Sequence, residues 1–211
     1  MKQEIEIKLD ISQDQLETLR NGAFFKEKMA TMRSLKLANT YYDTDQLALN
    51  LQKIALRIRR DQGRHIQTLK AQGSSENGLH KRLEWEWTLA DDILDSSLLP
   101  ADHWPSEIPV AALKAQFCTD FERQVCHFKH VTKSGEVSCV EMALDTGLIT
   151  VPGRPGSVRI SEVEIELLEG SPDAVTEVAD ILKQQCLYLT PSNISKAARG
   201  YHLLIGDITG A

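Results

Sequence analysis

In five separate places the chain alternates charged and apolar residues with a period of two, and in each the charged residues fall on one side. The runs are Glu4-Ile5-Glu6-Ile7-Lys8, Arg57-Ile58-Arg59, Arg82-Leu83-Glu84-Trp85-Glu86-Trp87, Glu141-Met142-Ala143-Leu144-Asp145 and Glu162-Val163-Glu164-Ile165-Glu166. Successive strand side chains point to opposite sides, so each run predicts a strand with one ionic and one greasy face. Between them, residues 39–44, 56–60 and 65–70 also read as strands, the last two joined by a hairpin turn at 61–64. Residues 121–130 and 136–145 form a second predicted hairpin with its turn at Ser134-Gly135. Residues 73–78 and 152–156 read as loops, and 91–109, with Pro100, Pro105 and Pro109, as an irregular connection.

Helical spacing occurs in fewer places. Ser12 is a good N-cap ahead of Leu16, Leu19 and Phe24, predicting an amphipathic helix that ends near Gly22. A short helix is expected over 110–117. Ser171-Pro172-Asp173 is a strong helix start, with Val175, Val178, Ile181 and Leu182 as the buried stripe. A last helix is expected within 193–204.

About eight strands in an antiparallel meander, with no linker to divide them, predict one α+β domain over residues 1–205 and a C-terminal tail at 206–211. The strand faces decide how the sheet closes. If the apolar faces pack against helices outside, the charged faces turn inward, and a closed eight-stranded antiparallel barrel with a polar, charged lumen satisfies both. Buried charges left alone would cost several kcal/mol each, roughly, so cations and carboxylates inside must offset one another or be met by bound ions.

Composition narrows the partners. The 211 residues are 42% hydrophobic and 26% charged, with a net charge of −6, which argues against broad affinity for nucleic acid or an anionic membrane. No apolar run approaches the ~20 residues of a membrane span. Cys118, Cys126, Cys139 and Cys186 show no CxxC spacing, and no signal peptide precedes Glu4, so reduced thiols and a cytoplasmic location are expected.

The candidate chemistry lies on the charged faces. Glu4 and Glu6 stand about 7 Å apart on one side of a strand, suited to a hard cation such as Mg²⁺ or Mn²⁺. Glu84, Glu86, Asp145, Glu162, Glu164 and Glu166 add acids in strand context; three glutamates on one strand face repel unless paired or metal-bound. Arg57, Arg59, Lys70, Arg82 and Arg123 supply the complementary charge from other strands, able to grip phosphate oxygens at several points. Lys196 and Arg199 sit three apart on the last helix and could reach a barrel mouth. Any of these alone fits a solvated surface; the pattern shared by several strands points to one assembled site. His65, His80, His103, His127, His130 and His202 read as surface or loop residues, and Trp85 and Trp87 as outward packing against helices. No Walker loop, GxGxxG or GxSxG occurs.

In order, these residues resemble the CYTH superfamily, also called triphosphate tunnel metalloenzymes. The resemblance covers roughly residues 2–205. It is carried by the Glu4-x-Glu6-x-Lys8 signature, Tyr41-Tyr42-Asp43-Thr44, Leu56-Arg57-Ile58-Arg59, Thr68-Leu69-Lys70, Arg82 with Glu84 and Glu86, Phe121-Glu122-Arg123, Leu144-Asp145-x-Gly147, Glu162-x-Glu164-x-Glu166 and Ser195-Lys196-Ala197-Ala198-Arg199-Gly200-Tyr201. It implies an eight-stranded tunnel, with Lys8, Arg57, Arg59, Lys70, Arg82, Arg123 and Lys196 on triphosphate, Glu4, Glu6, Asp145, Glu162, Glu164 and Glu166 on Mg²⁺ or Mn²⁺, and Glu4, Glu6 and Lys8 nearest the chemistry. Bacterial inorganic triphosphatases are the nearest group by this resemblance, and the expected reaction is metal-dependent hydrolysis of inorganic triphosphate to pyrophosphate and phosphate. Many of them carry a helical CHAD domain after the tunnel, which is not expected here. The competing expectations are a class IV-type adenylyl cyclase, a thiamine triphosphatase, and a non-catalytic sensor of polyphosphate or nucleotide. The expected partner is a small-molecule triphosphate.

Overall fold

The computed structural model describes residues 1–206, apart from the side chain of Gln72. Of the expected tail, 207–211 lie outside the described residues. Eight long strands run as β1 (Lys2–Asp10), β2 (Arg33–Asp43), β3 (Ala55–Asp61), β4 (Arg64–Glu76), β5 (Leu79–Leu89), β6 (Lys114–Val131), β7 (Val137–Thr150) and β8 (Ser157–Glu169), with a two-residue β9 (Thr190–Pro191). The sheet order is β5-β4-β3-β2-β6-β7-β8-β1-β9, and β5 also pairs with β1. All pairings are antiparallel, so β1 closes an eight-stranded barrel between β5 and β8. The helices are α1 (Leu16–Asn21), α2 (Ala23–Met29), α3 (Ala48–Leu51), α4 (Asp173–Gln185) and α5 (Lys196–Ile205).

The alternation seen in the sequence explains the layers. Ile5, Ile7 and Leu9 of β1 turn outward with Met142, Leu144, Val163 and Ile165, and pack under Leu16, Leu19 and Phe25 of α1 and α2 and Val175, Val178 and Leu182 of α4. A second cluster joins Tyr41, Phe117 and Phe121 to Ala197 and Tyr201 of α5. Tyr41 stacks on Phe117 at 4.7 Å between ring centres, and Tyr201 meets Phe117 edge-on at 5.0 Å. Asp43, fully buried, accepts hydrogen bonds from the amides of Thr44, Leu49 and Asn50 and from the Tyr201 hydroxyl, tying β2, α3 and α5 together.

Several local expectations need correction. The helix foreseen over 110–117 is only one 3₁₀ turn, Val110–Ala112, because β6 begins at Lys114 to pair with the end of β2 and to place Phe117 under Tyr201. The loop foreseen over 73–78 is mostly strand: β4 continues through a bulge at Ala71/Ser74, and only Asn77-Gly78 turns. Both residues of that turn have positive φ, 50° and 81°, the conformation Asn-Gly favours in a two-residue hairpin. The helix foreseen after Ser12 is divided into a 3₁₀ turn (Gln13–Gln15), α1 and α2, broken where Gly22 is extended at ψ 133°. Trp85 shares an outer cluster with Leu49 of α3 and with Ile108, Leu99 and Trp104 of the irregular segment, and its ring lies 4.8 Å from that of His103. That segment is latched by Gln67, which exchanges two hydrogen bonds with the Asp95 backbone at 3.0 and 2.9 Å. His80, read as a surface or loop residue, is buried and sits 2.9 Å from the Ser192 carbonyl.

Gly200 of α5 lies against Phe117: an added Cβ would stand 2.1 Å from the ring. Overpacking of this kind costs about 1–3 kcal/mol, more than the roughly 1 kcal/mol that alanine gains over glycine inside a helix. Gly200→Ala should therefore lower the thermal midpoint in a melting experiment, and an unchanged or raised midpoint would contradict this packing.

Candidate functional site

The ionic faces of the strands meet around one cavity. Its wall takes Glu4, Glu6 and Lys8 from β1, Arg57 and Arg59 from β3, and Lys70 from β4. Arg82, Glu84 and Glu86 come from β5, Arg123 from β6, Glu164 from β8, and Lys196 from the first turn of α5. Register explains the convergence: Glu4 lies opposite Arg82, Lys8 opposite Glu164, and Lys70 opposite Glu84. Residues two or four places apart along their own strands share one face and thus meet those of the neighbouring strands.

One side of the cavity is a dense ionic network. Lys70 Nζ lies 2.5 Å from Glu4 and 3.0 Å from Glu84. Arg82 spans Glu4 at 2.9 Å and Glu6 at 2.6 Å. Lys8 contacts Glu6 at 3.0 Å and also pairs with Glu164. Lys196 bridges Asp145 at 2.6 Å, Glu164 at 2.9 Å, and Glu162. Arg123 forks onto Asp145 at 2.8 and 2.7 Å, pairs with Glu164, and approaches Glu141 at 3.5 Å. Burial alone would push the Glu4 carboxyl up, but Lys70 and Arg82 outweigh it and hold it at about 2. Glu6, Asp145 and Glu164 are likewise lowered against their burial, by Lys8, by Arg123, and by Lys196 respectively.

The opposite wall is not balanced. Arg57 is 9% exposed, yet its Nε has no hydrogen-bond partner and its Nη1 reaches only the Tyr41 hydroxyl at 3.4 Å. Arg59 donates to the Asn39 side-chain carbonyl at 3.0 Å. Among the described residues neither guanidinium has a carboxylate within ion-pair distance. Burial, with Arg57 and Arg123 nearby, lowers the Arg59 guanidinium to about 10. Such a pair of desolvated cations is a prepared site for an anion.

Two groups of acids have the donor chemistry for hard divalent cations. Oxygens of Glu4, Glu84 and Glu166 lie within 4.8 Å of one another, as do those of Asp145, Glu162 and Glu164. The second group is buried throughout. All are carboxylates, the ligand type that Mg²⁺ and Mn²⁺ take. Glu6 belongs to neither group and stays with Lys8 and Arg82.

Some residues expected in the site stand apart from the cavity wall. Asp145 and Glu162 lie behind it, fully buried and held by Arg123, Lys196 and Arg199. Glu166 pairs with Lys2 at 2.5 Å, and burial raises its carboxyl to about 7. Glu86, by contrast, does line the cavity, though it is exposed, and accepts a hydrogen bond from the Thr68 hydroxyl at 3.3 Å. Arg199 holds Glu162 from the far side and lines a different cavity. Conversely, Tyr41, Thr68, Phe121 and Ser195, which fall in the stretches that carry the family resemblance but were given no role in the site, line the first cavity. Thr68 shares the face of Lys70 and could have been read from the same alternation. Phe121 could not, since its role is to place a ring 5.1 Å from the Lys196 ammonium, a contact between elements far apart in sequence.

A closed antiparallel barrel with cationic and acidic side chains gathered about one cavity defines the tunnel-barrel class of protein. The sequence comparison agrees: the CYTH domain model matches residues 2–201. The chain belongs to the CYTH domain family. It is 34% identical over 205 residues to the inorganic triphosphatase of Haemophilus influenzae, covering 96% of this chain. The chain spans about half the length of that relative, 55%. Among solved structures, an adenylyl cyclase candidate from Hippeastrum, described as having a dominant triphosphatase activity, matches with a TM-score of 0.59 at 19% identity, covering 94% of this chain and 95% of the other. A protein of Pyrococcus horikoshii matches with a TM-score of 0.56 at 22% identity, covering 96% and 99%. These two show the same fold.

The network fixes an acid limit. Glu4 has a folded value of about 2 against an ordinary 4.5, so its contribution is complete above pH 4.5 and is lost as pH falls toward 2. The difference is worth about 3 kcal/mol from this one group. Urea midpoints measured on metal-free protein should fall across that window, and Glu4→Gln should flatten the fall; a profile identical in both proteins would contradict the pairing.

Proposed function

We propose that the cavity binds a linear inorganic triphosphate together with a divalent cation and hydrolyses it to pyrophosphate and phosphate. The observation that carries this reading is the pair Arg57 and Arg59, the first buried and the second half-buried, cations without carboxylate partners on the wall of a cavity that Glu4, Glu6, Glu84 and Glu164 also line. The likeness to the Haemophilus influenzae inorganic triphosphatase supports the choice of substrate.

In this reading Arg57 and Arg59 receive the phosphate chain first, because their charge is unspent. Lys70, Arg82, Arg123 and Lys196 already hold carboxylates, and they exchange them for phosphate oxygens as the substrate enters. The released carboxylates of Glu4 and Glu84, with Glu166, and those of Asp145, Glu162 and Glu164, with Glu6 as a further acid, would hold Mg²⁺ or Mn²⁺. A cation there supplies charge neutralisation at the phosphate oxygens and acidifies a bound water. Lys8, between Glu6 and Glu164, is placed to hold the terminal phosphate and to offset charge as the bridging bond breaks. The exchange of partners keeps buried charge compensated before and after binding, which limits the desolvation cost.

We take residues 1–205 as one tunnel domain. Among the described residues no helix is long and apolar enough to cross a membrane. The four cysteines are free thiols, which supports placing the protein in the cytoplasm.

The test is a panel of inorganic triphosphate, ATP and thiamine triphosphate, with Mg²⁺ or Mn²⁺, read for phosphate, pyrophosphate and cyclic AMP. Inorganic triphosphate should be cleaved fastest, and chelation should remove turnover. Cyclic AMP from ATP would instead make the protein a cyclase, and tight binding without turnover a sensor. Arg57→Ala should raise KM by about 10- to 100-fold, the loss expected for a charge-assisted contact. Glu164→Gln should lower kcat by at least about 100-fold with the fold retained. Near-normal kinetics in both variants would remove the cavity from the reaction.

A further inference from the structure

A second cavity lies past the end of β1, and it shares no lining residue with the first. Asp10 and Ser12, Arg159 and Ser161 of β8, and Arg199 of α5 line it. Three buried polar atoms in these residues have no hydrogen-bond partner: Asp10 Oδ1, Ser161 Oγ and Arg199 Nε. Each makes a different demand. A carboxylate oxygen needs a donor, a guanidinium N–H needs an acceptor, and a hydroxyl serves as either. Arg159, exposed at the entrance and in contact with Gln13, adds a second guanidinium.

We propose that this cavity binds hydrogen phosphate. Near neutral pH orthophosphate keeps a proton, so one molecule offers a P–OH donor to Asp10 and anionic oxygens to Arg199 Nε, Ser161 and Arg159. A buried donor or acceptor left unpaired is destabilising, and a ligand that meets all three removes that penalty. Sulfate has the same shape and charge but no proton at neutral pH. Asp10 would face it with an unpaired carboxylate, so the site discriminates between the two.

The cavity also communicates with the barrel through one side chain. Arg199 Nη2 holds Glu162, which belongs to the buried acidic group. A phosphate on Nε draws on the guanidinium that braces Glu162. If the barrel releases orthophosphate, as the reading above has it, the product acts back on the site from behind; only this link to turnover rests on that reading.

The test is calorimetric titration with inorganic phosphate and, separately, with sulfate. Phosphate should bind the intact protein, and Arg57→Ala should leave that binding in place. Arg159→Ala, an exposed substitution, should weaken it about tenfold while leaving triphosphate turnover at zero phosphate within about twofold. Sulfate should bind poorly, and Asp10→Asn should narrow the preference for phosphate over sulfate by about tenfold. Phosphate binding that is absent, or indifferent to Arg159→Ala, overturns the site, as does a wild-type protein that takes both anions equally. In kinetics the expected signature is a non-competitive component of phosphate inhibition that Arg159→Ala removes; purely competitive inhibition in both proteins overturns the link to turnover. If no triphosphate is hydrolysed at all, the calorimetric pattern still decides this site, so failure of the two readings is told apart.

Discussion

Ionic side chains shut inside a barrel must find compensation, and that requirement organises the rest of the molecule. A carboxylate or ammonium taken out of water loses several kcal/mol, roughly, that only close opposite charge can return. On the β1, β5 and β8 side the return is complete: Glu4, Glu6, Lys8, Lys70, Arg82 and Glu164 form one continuous network. On the β3 side it is not, and Arg57 and Arg59 keep their charge in reserve. The asymmetry separates function from stability. A barrel built only to stand would have paired or replaced these arginines.

The outer layers exist to keep this interior closed. Apolar faces of β1, β6, β7 and β8 anchor α1, α2 and α4, with the Ile5, Ile7 and Leu9 stripe among them, so these strands are clamped from outside. At one end α5 is held by Tyr201 on Asp43 and by the close approach of Gly200 to Phe117. The segment leading into α5 is fixed by Ser192 on the Lys8 carbonyl, by His80 at the Ser192 carbonyl, and by Asn193 accepting from the Gly78 amide. Lys196 therefore reaches the cavity from an element secured at both of its ends. Its reach depends on packing well away from the charges it touches.

Much of this was legible in the sequence because the carrier signal is local. A strand with Glu4, Glu6 and Lys8 on one face and Ile5 and Ile7 on the other announces both its conformation and its conflict, and five such runs leave closure as the common resolution. The barrel, the long hairpin of β6 and β7, and helices α4 and α5 all follow from such short patterns. What was not legible depends on partners distant in sequence. Lys114 to Phe117 reads as a helix until β2 requires a neighbour there. His80 reads as a surface or loop residue until the Ser192 carbonyl descends on it. Arg199 shares a helix face with Lys196 in the sequence, yet the two diverge around Glu162, one in front of it and one behind. Spacing along a helix cannot tell which side of a carboxylate each cation will take.

The position of β1 at the barrel seam has a consequence for biogenesis. The strand carrying Glu4, Glu6 and Lys8 finds one partner in β5 and the other in β8, and its Lys8–Glu164 contact spans 156 residues. At roughly 5–20 residues per second of synthesis, the opening strand leaves the ribosome many seconds before its final neighbour exists, with alternate greasy and ionic side chains and one unsatisfied backbone edge. The β1–β8 pairing thus cannot form until β8 has been synthesised, and the topology belongs among those whose long-range pairing makes them slow. A nascent chain of this kind stays open to holdase chaperones until the seam is sewn.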